Sequence, residues 1–124
     1  MLASRLAGAL LVLATGGVHL WLFFDYFHKV HVVGTLFVLN AAAAALIGFV
    51  LLLSSNLLAS AAGAAFAAGT LVFFLVSVYH GLFGYTEHLR GGWQEAAGGL
   101  EVAAILVLVP LLAVQLRKGE SRRA

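Results

Sequence analysis

Residues 31–53 read HVVGTLFVLNAAAAALIGFVLLL, an apolar run that contains no Lys, Arg, Asp or Glu. A helix needs about 20 mostly apolar residues to cross the hydrocarbon core of a bilayer. A soluble chain of 124 residues has too little interior to bury so much apolar surface, whereas a bilayer removes the need to bury it. The run therefore predicts a membrane-spanning helix.

Three further stretches have the same length and apolar character, and they cover about 4–24, 57–83 and 96–116. The links 25–30 and 54–56 are short, and 84–95 is longer and more polar. Short links make consecutive spans run antiparallel. Only helices or closed barrels cross a bilayer, and no segment here alternates with a period of two. The chain is therefore predicted to be an all-α membrane protein, a single domain (1–124) folded as an antiparallel four-helix transmembrane bundle.

The overall composition agrees with this prediction, because 63% of the residues are hydrophobic, 10% are charged and the mean hydropathy is +1.06. The chain has no cysteine, which excludes disulfides, zinc–thiolate sites, iron–sulfur clusters and thiol redox chemistry. Arg5 before the apolar run 6–14 resembles the start of a signal peptide. No small-x-small cleavage pattern closes that run, and it continues to Phe24, so we expect the first span to be retained.

Basic residues are distributed unevenly between the two ends of the predicted bundle. The end that carries both chain termini has five of the seven, namely Arg5, Arg117, Lys118, Arg122 and Arg123. The positive-inside rule therefore predicts a multi-pass protein of the plasma membrane with both termini in the cytoplasm. The opposite end, called the histidine end below, receives every histidine and most of the acids: His19, Asp25, His28, His31, His80, Glu87, His88 and Glu95.

Three polar side chains are predicted to lie inside the membrane. His19 and Glu101 are each about five residues from the histidine end of their spans, and Asn40 is about nine residues from that end. Ionisable groups at such depth are costly and normally face the bundle interior or a partner. Because spans 1 and 4 are neighbours, we predict a hydrogen bond between His19 and Glu101. Two interpretations of this polar pair stay open: a clasp that fixes helix packing, or a group that handles protons or binds a ligand.

The histidines also suggest two kinds of bound metal. Asp25, His28 and His31 follow one another at a spacing of three residues, and His88 returns to the same end, so these four could bind Zn(II) or Cu(II). His19 and His80 lie on parallel spans at the histidine end and could be the two axial ligands of a b-type haem. Outer-face histidines are more often wetted interfacial side chains, so the absence of any cofactor is the favoured expectation.

The chain resembles a group of uncharacterised small four-span integral membrane proteins of high-GC bacteria. The segments that carry the likeness are HLWL (19–22), GTLFVLN (34–40) and GLFGYTE (81–87), together with the acid Glu101 in the last span. The resemblance implies the four-span topology and gives weight to His19, Asn40, Glu87 and Glu101. It supplies no activity, and the stretch FHKVH (27–31) departs from the group's pattern.

Two functions are compatible with these features. The first is a non-catalytic accessory or structural membrane subunit, because the chain has almost no extramembrane part that could recognise a soluble substrate. The alternative is an outer-leaflet protein that holds a metal or haem through its clustered histidines. Expected partners are the lipid bilayer and either a larger membrane complex or further copies of the chain as a homo-oligomer. No nucleic-acid-binding surface or nucleophile–base constellation is present in the sequence.

Overall fold

The computed structural model describes residues 2–30, 32–54, 56–81 and 93–123. Its elements are the helices α1 (Leu2–Asp25), α2 (Val33–Leu53), α3 (Leu57–Tyr79) and α4 (Trp93–Arg123), with a short 3₁₀ helix (Phe27–Lys29) between α1 and α2. No strand occurs in these ranges. All four helices are long and apolar enough to cross a membrane. The predicted all-α four-helix bundle is confirmed, with the helix complement of a multi-pass membrane protein.

Two helix ends differ from the predicted span limits. α3 ends at Tyr79 rather than near residue 83, because the backbone N–H groups of His80 and Gly81 both donate to the Val76 carbonyl, at 2.8 and 2.9 Å. Gly81 has a φ of 83°, a conformation that glycine adopts at little cost and that ends the helix. α4 continues to Arg123 instead of stopping near 116, because the residues that follow are polar but are mostly good helix formers.

The helices do not pack equally closely. α1 packs most extensively along α2, and α4 packs along both α1 and α3, whereas α2 and α3 have the smallest contact of the neighbouring pairs. The main core lies where α1, α2 and α4 meet α3. Its buried members are Ala9, Val12, Ala44, Leu51, Ala59, Ala67, Ala104, Leu108 and Leu111. The bundle is therefore tight on three sides and loose between α2 and α3.

Glycines allow α1 and α2 to approach closely. A Cβ atom added to Gly16 would lie 2.5 Å from the Ala44 Cβ, and one added to Gly48 would lie 2.5 Å from the Leu13 Cγ. In lipid, where water does not drive helices together, close van der Waals contact between small residues is a main source of helix association. These two contacts also set the register of the antiparallel pair.

The turn between α1 and α2 closes the histidine end of the bundle. Phe27 of the 3₁₀ helix is 1% exposed, and its ring stacks on Phe37 with the centroids 4.2 Å apart. An atom added to Gly34 would collide with the Phe27 carbonyl oxygen, so the turn lies directly against the first turn of α2. Phe27, Leu22 and Val33 form a second apolar cluster there.

Candidate functional site

A cavity of about 320 Å³ lies within the half of the bundle near the histidine end. Its walls are mostly apolar, but every helix contributes at least one polar side chain. The polar lining residues are His19 of α1, Asn40 of α2, Thr70 and Ser77 of α3, and Glu101 of α4. The three side chains that the sequence placed inside the membrane therefore face one common space.

His19 is held in a defined orientation by its own helix. The residue is 8% exposed, and its Nδ1 atom lies 2.8 Å from the backbone carbonyl oxygen of Thr15. A carbonyl oxygen can only accept a hydrogen bond, so Nδ1 must carry the hydrogen. The imidazole also lies against Phe37, with the ring centroids 5.0 Å apart. The other nitrogen, Nε2, is consequently the atom that His19 presents to Glu101.

Glu101 is 1% exposed, and its Oε1 atom lies 3.7 Å from His19 Nε2. The structure thus brings together the two residues that the sequence paired. The separation is too long for the predicted direct hydrogen bond. The reason is that both side chains line the cavity, so open space rather than close packing lies beside them.

The position of the hydrogen on His19 determines what the ring offers to Glu101. With its hydrogen on Nδ1, neutral His19 turns the lone pair of Nε2 toward the carboxyl group. The two atoms are close neighbours at 3.7 Å without a direct hydrogen bond.

Asn40 links the two helices that pack least closely. Its Nδ2 atom donates to the Thr70 hydroxyl at 3.0 Å, which joins α2 to α3. Its Oδ1 atom is buried and accepts no hydrogen bond from any described residue. Asn40 therefore joins the two loosely packed helices and also places beside the cavity an acceptor that no described residue uses.

We expect this hydrogen bond to stabilise the bundle modestly. In a double-mutant cycle with Asn40→Leu and Thr70→Val, the coupling free energy should be about 0.6 kcal/mol, a typical value for a hydrogen bond between membrane helices. The measurement is reversible unfolding of the four proteins in mixed micelles. A coupling of zero would show that the bond does not brace α2 against α3.

The predicted Zn(II) or Cu(II) site stays a prediction. Asp25 and His28 are exposed, and His28 Nδ1 lies 2.9 Å from the Phe23 carbonyl oxygen. His31 and His88 fall outside the described residues, as does Glu87. Within ranges 2–30, 32–54, 56–81 and 93–123, no three His, Cys, Asp or Glu residues are grouped so that they could hold a metal ion.

The predicted haem site also stays a prediction, and two features of the structure weigh against it. Both nitrogens of His19 already face Thr15 and Glu101, so ligation would require the imidazole to turn. His80 is the exposed residue that caps the end of α3, and α1 and α3 lie diagonally across the bundle with little contact.

The cavity itself was not predicted from the sequence. Among the described residues, four phenylalanines line it, namely Phe37, Phe66, Phe73 and Phe74. Gly69 also lines it, and a Cβ added there would meet no atom within 4 Å. The only sequence signal was the pair of small and polar residues Gly69-Thr70 on α3, at a depth that matches Asn40 on α2.

No known protein family matches this chain, and neither a curated protein nor a solved structure is similar to it. The resemblance to small four-span proteins of high-GC bacteria stays a prediction. What the protein does must therefore be inferred from the chemistry of the cavity.

Proposed function

We propose that this protein binds a small, mainly apolar molecule within the membrane, in the cavity between its four helices. The observation that carries the proposal is the convergence of polar side chains from all four helices on one apolar space, among them an acid that is 1% exposed. Ligand sites are commonly apolar cavities of about 300–1,000 Å³ with a few placed polar groups, and this cavity of about 320 Å³ is of that kind.

The ligand reaches the cavity from the bilayer, between α2 and α3. This is the loosest interface between neighbouring helices. Two of the α3 residues that line the cavity, Ala65 and Phe73, are also exposed on the outside of the bundle, and Phe73 is 56% exposed. A lateral route suits a molecule that first dissolves in lipid.

We place the protein in the plasma membrane with both termini in the cytoplasm. Arg117 and Lys118 are exposed near the end of α4, and Arg5 lies near the start of α1 at the same end of the bundle. This basic end supports the orientation through the positive-inside rule. The cavity then lies in the outer half of the bilayer.

A protein that binds a ligand without catalysing its conversion is compatible with the accessory-subunit function expected from the sequence. The bilayer is the partner that the apolar outer surface requires, and a larger membrane complex or a second copy of the chain stays a prediction. Nucleic acid stays outside the proposal, because the sequence predicts almost no extramembrane part that could contact it.

The proposal is tested with a substitution that fills the cavity at a glycine where a side chain can be added without a steric clash. Gly69→Leu should place a leucine in the cavity without disturbing packing, and Gly99→Leu is the matched control, because a Cβ at either glycine meets nothing within 4 Å but only Gly69 lines the cavity. Binding of phenethylamine, phenethyl alcohol and phenylacetate is measured calorimetrically in lipid nanodiscs, with empty nanodiscs as the blank. At least one probe should bind the wild type and Gly99→Leu but not Gly69→Leu. Absence of binding by all three, or equal binding by Gly69→Leu, would refute a ligand site here.

A further inference from the structure

We propose that the ligand is a single-chain lipid, with a small hydroxyl head bound beside Ser77 and an aliphatic chain that lies along α3 in contact with both the cavity and the bilayer. This inference deepens the proposed function and rests on it. Three features of α3 support it: a buried hydroxyl in the cavity, a side of the helix that faces both the cavity and the lipid, and the depths at which these two features lie.

Ser77 provides a polar group that is available to a ligand. The residue is 5% exposed and lines the cavity, and its hydroxyl makes no hydrogen bond with a described residue. A buried hydroxyl without a partner is costly, because it has lost its hydrogen bonds to water. The Ser77 hydroxyl can both donate and accept, and a hydroxyl head is the smallest ligand group that can do the same in return.

One side of α3 faces the cavity and the lipid at once. Ala65, Gly69 and Phe73 follow one another at a spacing of four residues, so they lie along one side of the helix. All three line the cavity, and Ala65 and Phe73 are also exposed on the outside of the bundle. Gly69 between them has no side chain, and an added Cβ would meet no atom within 4 Å. These three residues, called the slot below, form an apolar groove that opens to the bilayer.

The depths of the hydroxyl and the slot match the direction of lipids in a bilayer. Ser77 lies two residues before the end of α3 at Tyr79, whereas Ala65 lies twelve residues deeper, about 18 Å along the helix axis. This distance is similar to the thickness of one leaflet of the hydrocarbon core, about 15 Å. A ligand with its head at Ser77 therefore directs its chain toward the middle of the bilayer, as the surrounding lipids do.

A chain in the slot need not fit entirely inside the cavity. The cavity of about 320 Å³ can enclose only a small molecule, but the slot leaves one side of a chain in contact with lipid. Lipid chains and the apolar slot are similar environments, so each additional methylene group gains or loses little free energy when the ligand moves from the bilayer to the protein. The volume of the cavity therefore does not limit the length of the ligand, and the head determines where it binds.

The experiment is photolabelling in lipid nanodiscs with dodecan-1-ol that carries a diazirine near the end of its chain. Labelling should be saturable, should be prevented by unlabelled dodecan-1-ol, and should modify residues near Ala65, at the deep end of the slot. Hexadecan-1-ol should compete as well as dodecan-1-ol at an equal mole fraction in the lipid, because the additional chain stays in the bilayer. Competition that falls steeply with chain length would indicate an enclosed site and would overturn the proposal.

A second comparison tests the hydroxyl head. Dodecyl methyl ether has the same chain but can only accept hydrogen bonds, so it should compete about fivefold more weakly than dodecan-1-ol, the difference that one ordinary hydrogen bond makes. In Ser77→Ala the two compounds should compete equally. Ser60→Ala is the matched control, because Ser60 is a buried serine of the same helix that does not line the cavity, and it should keep the difference. An unchanged preference in Ser77→Ala would contradict the assignment of the head.

Gly69→Leu separates this inference from the proposed function, because it blocks the middle of the slot and fills the cavity at once. It should abolish saturable labelling, and Gly99→Leu should leave labelling unchanged. If Gly69→Leu abolishes binding of a phenyl probe while labelling of the wild type is not saturable or lies away from the slot, only this inference fails. If Gly69→Leu changes neither the binding of the probes nor the labelling, the proposed function fails as well.

Discussion

Replacing His19 by leucine is expected to lower the free energy of unfolding by about 3 kcal/mol, because it removes one partner of a buried ionisable pair. The leucine has a similar volume but presents no ring nitrogen to Glu101, whose carboxyl group is 1% exposed. It also cannot donate to the Thr15 carbonyl, which His19 Nδ1 contacts at 2.8 Å. The measurement is reversible unfolding in mixed micelles of a mild detergent and sodium dodecyl sulfate.

Two further variants make this result specific to the pair. His28→Leu is the same substitution at an exposed histidine of the same segment, and its effect should stay within about 0.5 kcal/mol. The double variant His19→Leu/Glu101→Leu should recover more than half of the loss, since two apolar side chains replace a pair that is costly only when broken. If His19→Leu proves as stable as His28→Leu, the pair does not contribute to folding.

The depth of the polar side chains could be predicted because each residue of a transmembrane helix adds the same distance along the helix axis. Counting about 1.5 Å per residue from the histidine end put His19 and Glu101 at one level, and the short links made α1 and α4 antiparallel neighbours. The structure has these two side chains 3.7 Å apart. The same reasoning placed Asn40 deeper, where it donates to Thr70 of α3.

What could not be predicted depends on how closely whole helices approach. Hydropathy does not show that α2 packs tightly on α1 through Gly16 and Gly48 but only loosely on α3. The cavity follows from that difference, and so does the role of Phe66 and Phe73, which in the sequence are merely apolar residues of a span. The length of the contact between His19 and Glu101 also depends on the cavity, so a direct hydrogen bond was the wrong expectation.

The looseness of the interface between α2 and α3 links stability to function. Asn40 and Thr70 hold these helices together by a hydrogen bond of modest strength, at the place where the ligand is proposed to pass. A tightly packed interface with glycines, like that between α1 and α2, would close the cavity to the bilayer. The division of the bundle into a rigid pair and a loose pair is therefore what an internal site with lateral access requires.

Gly16→Leu should be the most damaging single substitution in that rigid pair. A Cβ at residue 16 would lie 2.5 Å from the Ala44 Cβ and 3.5 Å from the Ala41 carbonyl oxygen, so most of the obstacle is backbone or the first atom of a side chain. Neither can rotate away, and a leucine can be accommodated only if α1 and α2 separate. We expect a loss of about 3 kcal/mol in the free energy of unfolding, at the upper end of the usual cost of overpacking.

Gly17→Leu is the matched control, because it makes the same change one residue along the same helix, where an added Cβ meets nothing within 4 Å. It should unfold at the wild-type detergent composition, which separates the steric effect from any effect of leucine on helix propensity. Equal losses at residues 16 and 17 would mean that α1 does not contact α2 through the face that contains Gly16. The position of His19 would then be in doubt as well, because residues 16 and 19 lie on one face of the helix and a rotation that frees Gly16 would turn the imidazole away from Glu101.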